Sequence, residues 1–172
     1  SPFTQENGYE LAGAYQNGTT VESFGGGICQ VATTLYNAVI RAELEVTMRF
    51  NHSMMVHYVE PSMDAAIAGD YKDLRFKNNL DAPIYIEGYC SGGIIYFNIY
   101  GKETRPANRE ISFESETVST TEPKTEFNLD GSGALGSVNV VQSPPSGCIA
   151  QLWKVVKVDG VEQGREIFNK SN

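Results

Sequence analysis

The sequence predicts an α+β fold in which one main helix packs on an antiparallel β-sheet and a small all-β domain follows. The prediction rests on one helical pattern, several strand patterns joined by short turns, and the lack of a second crossover helix. Strands joined by short turns run antiparallel, whereas neighbouring parallel strands need a long crossover between them. The composition becomes rich in Glu, Thr, Ser and Pro after Lys102, which predicts a boundary near residue 105 and domains at residues 1–104 and 105–172.

The main helix is predicted directly after a run of three glycines that ends at Gly27. Apolar residues then recur at three- and four-residue steps, which places them on one helical face that we expect to be core: Ile28, Val31, Leu35, Ala38, Val39 and Ala42. The pattern stops before Glu43. Strand patterns follow at residues 45–50, 56–59 and 74–77, and a hairpin is predicted from residues 84–89 and 94–100.

The second part of the chain alternates like β-structure that is broken by turns. Strands are predicted at residues 138–141, 150–158 and 165–168. Asp159-Gly160 is a strong hairpin signal because glycine supplies the positive φ of a tight turn. The break between the first two strands is predicted at Pro144-Pro145-Ser146-Gly147.

Charge and hydropathy exclude two classes of function. The 172 residues include 13 Lys and Arg against 21 Asp and Glu, a formal charge of −8, so the surface is unsuited to nucleic acid. No stretch reaches the roughly 20 apolar residues of a membrane-spanning helix. We therefore expect the chain as given to be soluble, with any targeting segment or membrane anchor outside it.

Three widely spaced cysteines, without a Cys-x-x-Cys pair, do not predict a disulfide scaffold or a zinc site. A disulfide between Cys90 and Cys148 is one option, and at least one thiol stays unpaired within the chain in any case. We expect neither a metal nor a cofactor.

Cys29 is the candidate nucleophile. It lies in the first turn of the predicted helix, where unpaired amide groups favour an anion and lower the pKa of a thiol. The glycines before it, Gly25, Gly26 and Gly27, let the backbone come close to a ligand. Two alternatives are a small buried hydrophobic residue and a phosphate-binding loop, and the second is discounted because Gln30-Val31 replace the Lys and Ser/Thr that a Walker motif needs.

Two histidines and one aspartate could complete a site around that thiol. His52 ends a strand pattern, His57 alternates within a second one, and Asp64 follows both. The order Cys, His, Asp resembles that of the transglutaminase-like cysteine enzymes and implies a transglutaminase-like or papain-like core, with His as base and Asp as its orienting group. The alternative is that His52 and Asp64 cap turns.

Several ordered motifs resemble the VanW family over roughly residues 1–101. They are the run Gly25-Gly-Gly-Ile-Cys-Gln-Val-Ala-Thr-Thr-Leu-Tyr-Asn-Ala38, Asn51-His-Ser53, Val56-His-Tyr-Val59, Asp64-Ala65, residues 73–79 and residues 82–87. The resemblance implies a bacterial, often Gram-positive, cell-surface protein associated with vancomycin-resistance gene clusters. Members usually have Pro, Gly and Thr where this chain has Met55, Ser62 and Ala66, and these differences flank His52 and Asp64.

The tail resembles the glycine-bearing β-module called the G-five domain, on the strength of residues 150–160 and of Gly131, Gly133, Gly136, Gly147 and Gly160. Such a module implies binding to cell-wall sugars, for which Trp153 could serve as a stacking platform. We favour the alternative that Trp153 packs in the core.

Together with the VanW resemblance, these features predict an extracellular, cell-surface protein that acts on or binds peptidoglycan, and the first hypothesis is a Cys–His–Asp amide hydrolase or transpeptidase. Cys29 would attack a cell-wall amide, His52 would be the base and Asp64 would orient it, giving hydrolysis or transpeptidation. The amides of Cys29 and Gln30 would hold the oxyanion, and the expected substrate-binding residues are Gly25, Gly26, Gly27, Gln30 and His57. The alternative is a non-catalytic module that binds cell-wall peptide or glycan, or a structural surface protein.

Overall fold

A computed structural model describes residues 3–16, 19–127, 131, 134, 136–140 and 146–172 of the chain. In this described part of the chain, one α-helix and nine strands follow a short 3-10 turn at Gln5–Asn7: β1 (Leu11–Gln16), β2 (Thr19–Phe24), α1 (Ile28–Arg41), β3 (Glu45–Met48), β4 (Arg75–Lys77), β5 (Tyr85–Ser91), β6 (Ile94–Tyr100), β7 (Arg109–Thr121), β8 (Gly147–Val158) and β9 (Val161–Ser171). Within these residues no helix is long and apolar enough to cross a bilayer.

All strand pairs in the described part of the chain are antiparallel, as predicted, but they do not form one sheet. β1 pairs with β2, β3 with β4 and β5 with β6, while β7, β8 and β9 form a three-stranded sheet in that order. The mixture of one helix with antiparallel strands is therefore confirmed, and the single main sheet is wrong. A transglutaminase-like or papain-like core stays a prediction.

Short-range signals located most elements correctly. The helix begins after Gly27 as predicted, and the hairpin of β5 and β6 turns at Gly92 and Gly93, both with positive φ. Asp159 and Gly160 also have positive φ, at 51° and 77°, and connect β8 to β9. These turns are fixed by local backbone geometry, which is why the sequence shows them.

Other predicted strands are absent, and three real ones were missed. Residues 57–59 form bends that follow the buried Val56, and residues 138–140 are irregular. Val141, Pro144, Pro145 and Gly133 lie outside the described residues. Sequence patterns also missed β1, β2 and β7. In β7, residues 109–121 are polar and mostly exposed, so the segment resembled a linker.

One buried core joins both parts of the chain. Ala32, Tyr36 and Ile40 of α1 pack with Ala65 and with Leu152 of β8, and Phe113 and Phe168 pack against this cluster. Asn169 Nδ2 also donates to the Tyr36 hydroxyl at 2.5 Å. Burial of the Tyr36 side chain raises the pKa of Tyr36 to about 12. The boundary near residue 105 stays a prediction, but the segments on either side of it share their apolar interior.

A cluster of charges makes a second connection at the C-terminal end of α1. Glu43 accepts hydrogen bonds from Arg109 at 2.6 and 2.9 Å and forms an ion pair with Lys154 at 2.6 Å. The bond from Arg109 and the neighbouring Lys154 charge outweigh the effect of burial and lower the pKa of Glu43 to about 2. The two cations belong to β7 and β8, so this carboxylate ties the helix end to the tail sheet.

Strict alternation fails along β8. Ala150 and Leu152 are buried, but a register shift against β9 lies between Leu152 and Trp153, and the next buried residue is Val155. Trp153 directly follows the buried Leu152 and therefore lies on the opposite face of β8, where it is half-buried and donates from Nε1 to Glu116 at 2.6 Å. The preference for Trp153 as a core residue was therefore wrong.

The shared core can be tested on two apolar residues of the same strand. Leu152→Ala should lower the free energy of unfolding by about 2–5 kcal/mol, because Leu152 is fully buried and its loss leaves a cavity. Ile149→Ala, at a side chain that is 48% exposed, should cost less than about 1 kcal/mol. Urea unfolding followed by circular dichroism measures both. Equal losses would contradict the placement of Leu152 between the two parts.

Candidate active site

Three glycines place the start of α1 against the first hairpin. Gly25 has φ of +76°, which favours glycine, and a Cβ on Gly26 would lie 2.5 Å from the carbonyl oxygen of Ala12. Gly27 caps the helix without a side-chain bond, and a Cβ there would meet nothing within 4 Å. The structure thus explains Gly25 and Gly26 by turn geometry and close packing against β1.

Cys29 lies in the first turn of α1 and is partly exposed. Its Sγ is 3.4 Å from the backbone nitrogen of Ile67, whose N–H donates to the sulfur, and 3.4 Å from the carbonyl oxygen of the same residue. Burial alone would raise the pKa of the thiol. Hydrogen bonds from His52 and Ile67, together with the nearby charges of His52 and Lys72, outweigh burial and lower the pKa.

His52 is held by the carboxylate of Asp64. Asp64 Oδ2 lies 2.7 Å from His52 Nδ1 and accepts a second bond of 2.7 Å from the backbone N–H of the same histidine. Since Nδ1 is engaged in this way, Nε2 is the ring nitrogen that remains for the Cys29 sulfur. The structure therefore brings the three predicted residues together in the order thiol, imidazole, carboxylate.

Arg49 is a fourth member that sequence reasoning missed. Its guanidinium donates from Nη2 to Asp64 Oδ1 and from Nε to the Asp64 carbonyl oxygen, each at 2.7 Å, and its Nη1 donates to Ser171 at 3.0 Å. Burial would raise the pKa of Asp64, but the bonds from His52 and the charge of Arg49 lower it instead. An ionised Asp64 is thus available to orient the imidazole.

The electrostatics favour a charged pair of Cys29 and His52. Burial would lower the pKa of His52, but the hydrogen bonds and charges of Asp64 and Cys29 raise it to about 9. A thiolate and an imidazolium therefore coexist from the lowered pKa of Cys29 up to about pH 9.

Of the two backbone N–H groups that were predicted to hold an oxyanion, only that of Cys29 is available. The backbone N–H of Gln30 already donates to the Gly27 carbonyl oxygen at 3.0 Å, so the expectation for Gln30 was wrong. The Cys29 N–H has no hydrogen-bond acceptor in the part of the chain that the structure describes. It lies at the positive end of a helix whose first turn carries no acidic residue, and can donate to an oxygen that becomes negative beside the sulfur.

The spacing of residues in the sequence could not decide which histidine pairs with Asp64 or which basic residues lie near Cys29. His57 is exposed in the irregular segment, and within the described residues no hydrogen bond or ion pair joins it to Cys29 or Asp64, whereas His52 is bonded to Asp64. Lys72 donates to the Asn51 carbonyl oxygen at 3.0 Å and contributes positive charge at Cys29. No motif marks Lys72 or Arg49. A basic residue in the predicted strand 45–50, three positions before His52, was the available signal for Arg49.

A cleft of about 340 Å³ opens beside the pair of His52 and Asp64. Its opposite wall comes from the tail, through Cys148, Ser171 and Asn172. His52 and Asp64 line this cleft, whereas Cys29 does not.

Ser62 lies in the wall of the same cleft with an unusual backbone conformation. Its φ is +66°, it is almost fully buried, and its hydroxyl has no hydrogen-bond partner within the described residues. Glycine at this position would avoid both the left-handed serine and the unpaired hydroxyl.

The cysteines are free in the structure, so Cys90 and Cys148 do not form a disulfide. No group of three or more His, Cys, Asp or Glu side chains that could hold a metal ion is present among the described residues.

These features define an α+β protein with a Cys–His–Asp site at the head of its single described helix. Comparison with known proteins agrees with the resemblance seen in the motifs. The family model described as VanW like protein matches residues 1–100, and the chain belongs to this family.

A curated relative is the uncharacterized protein YoaR of Bacillus subtilis (strain 168), which is 39% identical over 100 residues. The match covers 58% of this chain and 33% of the relative, so the chain spans about a third of the length of that protein. No solved structure matches the chain. The likeness to the G-five domain stays a prediction.

The charged pair predicts how fast Cys29 reacts at each pH. In a Cys90→Ser, Cys148→Ser background, alkylation of Cys29 by iodoacetamide should reach half its maximal rate below pH 8.5, the usual pKa of a thiol. His52→Gln should move this midpoint upward and slow the reaction at pH 7 by roughly fivefold or more. The reason is that burial raises the pKa of Cys29, and the variant lacks the imidazolium that opposes this effect. An unchanged profile would contradict the pairing.

Gly26 and Gly27 should differ in how well they tolerate an added side chain. Gly26→Ala should destabilise the protein by about 1–3 kcal/mol, since its Cβ would clash with the Ala12 carbonyl group. Gly27→Ala should cost less than about 1 kcal/mol, because its Cβ meets open space. Thermal unfolding measures both, and an equal loss at the two positions would show that the tight approach to β1 is not what requires glycine.

Proposed function

We propose that this protein is a cysteine-dependent hydrolase or transpeptidase that acts on amide bonds of the bacterial cell wall. The observation that carries the proposal is the arrangement in which His52 lies between the Asp64 carboxylate, 2.7 Å from Nδ1, and the Cys29 thiol. Membership of the VanW family supports the cell wall as the setting, with a link to glycopeptide resistance. The whole protein's substrate and cell-surface location are part of this proposal.

The first half of the reaction would form a thioester. The Cys29 thiolate adds to the amide carbonyl carbon, and the carbonyl oxygen becomes an oxyanion that accepts a hydrogen bond from the Cys29 N–H. The C–N bond then breaks as the His52 imidazolium gives its proton to the departing amine. Asp64 stays ionised throughout, because Arg49 compensates its charge.

The second half would release the acyl group. His52, now neutral, accepts a proton from water or from an incoming amine, which attacks the thioester carbonyl. Expulsion of the Cys29 thiolate gives a carboxylic acid in hydrolysis or a new amide in transpeptidation. The same residues serve both outcomes, and the nucleophile that reaches the thioester decides between them.

The decisive experiment uses purified Gram-positive peptidoglycan and mass spectrometry of the muropeptides. The unmodified protein should release or join peptide stems, and Cys29→Ala should reduce that rate by roughly 10³-fold or more. Cys90→Ala, at an exposed thiol on β5, is the matched control and should keep the activity. Equal activity of Cys29→Ala and the unmodified protein would refute the proposal.

A binding role without catalysis predicts a different result. Cell-wall retention that is the same in the unmodified protein and Cys29→Ala, without any change in the muropeptides, would favour the non-catalytic module. Sedimentation of the protein with insoluble peptidoglycan measures this in the same samples.

A further inference from the structure

The hairpin of β5 and β6 carries an exposed face that the proposed reaction does not use. Directly opposed residues share a face in an antiparallel pair, and the register pairs Tyr85 with Tyr100, Glu87 with Asn98 and Tyr89 with Tyr96. The four tyrosines are between 39% and 64% exposed. We call these six residues the tyrosine face.

The other side of the hairpin is already occupied. Phe97 covers Gly88, where an added Cβ would lie only 2.6 Å from the ring, and β6 packs against α1. Residues of the opposite alternation, among them Ile95 and Ile99, are partly buried on this side. The hairpin therefore turns its apolar side inward and leaves the aromatic rings outside.

The exposed rings are ordered in pairs. Tyr89 and Tyr96 stack with ring centroids 5.0 Å apart and planes 13° from parallel, and Tyr85 and Tyr100 stack at 6.1 Å and 28°. The strand rise of about 3.4 Å per residue places the two pairs roughly 13 Å apart. This spacing suits an extended ligand better than a single small molecule.

Hydrogen-bonding groups lie between the two pairs. Asn98 Nδ2 and the Tyr100 hydroxyl both donate to Glu87 Oε2, at 2.9 and 3.2 Å. Oε1 of the same carboxylate accepts no bond within the described residues and can accept one from a ligand hydroxyl. The centre of the face is thus polar and its two ends are aromatic.

This arrangement distinguishes among possible ligands. Protein interfaces concentrate aromatic residues at the centre and charged groups at the rim, which is the reverse of the order here. The face contains one carboxylate and no Lys or Arg, so it does not suit an anionic polymer. A neutral glycan fits, because its rings present C–H surfaces to aromatic side chains and hydroxyl groups to acceptors.

We propose that the tyrosine face binds a neutral glycan chain, with the paired rings contacting sugar rings and Glu87 and Asn98 contacting hydroxyl groups. None of its six residues belongs to the candidate active site or lines the cleft beside His52 and Asp64. Its occupation would hold the protein on a polysaccharide whether or not the Cys29 chemistry takes place.

Calorimetric titration with a soluble chito-oligosaccharide and a soluble cello-oligosaccharide tests the proposal. The full chain should bind at least one of them saturably, and combined Tyr89→Ala and Tyr96→Ala should weaken binding at least tenfold. Tyr71→Ala, at a tyrosine that is 71% exposed but lies outside the face, should leave binding unchanged. An oligogalacturonate, which is anionic, should not bind.

If the double alanine variant does not fold by circular dichroism, Tyr85→Ala alone provides the comparison and should weaken binding at least threefold. Failure of both neutral oligosaccharides to bind at millimolar concentration would overturn the proposal, as would an equal loss in Tyr71→Ala. Self-association that disappears in the double variant, without glycan binding, would instead identify the face as a contact between copies. Retained glycan binding in Cys29→Ala separates this result from the proposed catalysis.

Discussion

The carboxylate of Asp64 is the interaction on which most of the structure around the site depends. It is buried, and it is compensated on one oxygen by Arg49 and on the other by the ring and backbone of His52. Leaving such a group without one of its partners would expose a buried charge to an apolar interior, at a cost of several kcal/mol. The chain therefore has a physical reason to keep all three residues in one arrangement.

This arrangement extends well beyond the site. The same guanidinium reaches Ser171 at the end of β9 and lies 5.7 Å above the ring of Tyr36. Tyr36 in turn accepts a hydrogen bond from Asn169. Thr33 makes a parallel link, since its hydroxyl accepts from the Ala65 N–H at 2.9 Å and donates to the Ala65 carbonyl oxygen at 3.3 Å. Helix, site loop and tail thus position one another.

The sequence predicted the features that depend on local physics. The periodicity after Gly27 defined the helix, Gly92 and Asp159-Gly160 marked turns, and the types and order of Cys29, His52 and Asp64 selected three residues that the fold brings together. Arg49 was missed because its role depends on a partner fifteen positions away whose approach no local pattern encodes. The choice between His52 and His57 likewise needed the fold, since both histidines follow the helix at similar spacing.

The tail contains a strand, β7, that the sequence pattern did not predict. The Glu- and Thr-rich start of the tail predicts a domain boundary. In the structure, β7 pairs with β8 along its length and contributes Phe113 to the core contacts. An exposed strand of polar residues carries little hydrophobic signal, so the composition of this segment did not reveal its pairing. The register shift after Leu152 likewise moved the next buried position of β8 to Val155, which strict alternation does not predict.

The ties between the tail and the first hundred residues restrict how this chain can be recombined. A surface protein assembled from interchangeable cassettes would tolerate a foreign module joined near residue 105. Here a transplanted module would have to supply an apolar side chain where Leu152 fills the core, cations for Glu43 and a hydroxyl for Arg49. A graft that lacks them would disturb the imidazole through its orienting carboxylate, so the geometry of the site depends on which tail is attached.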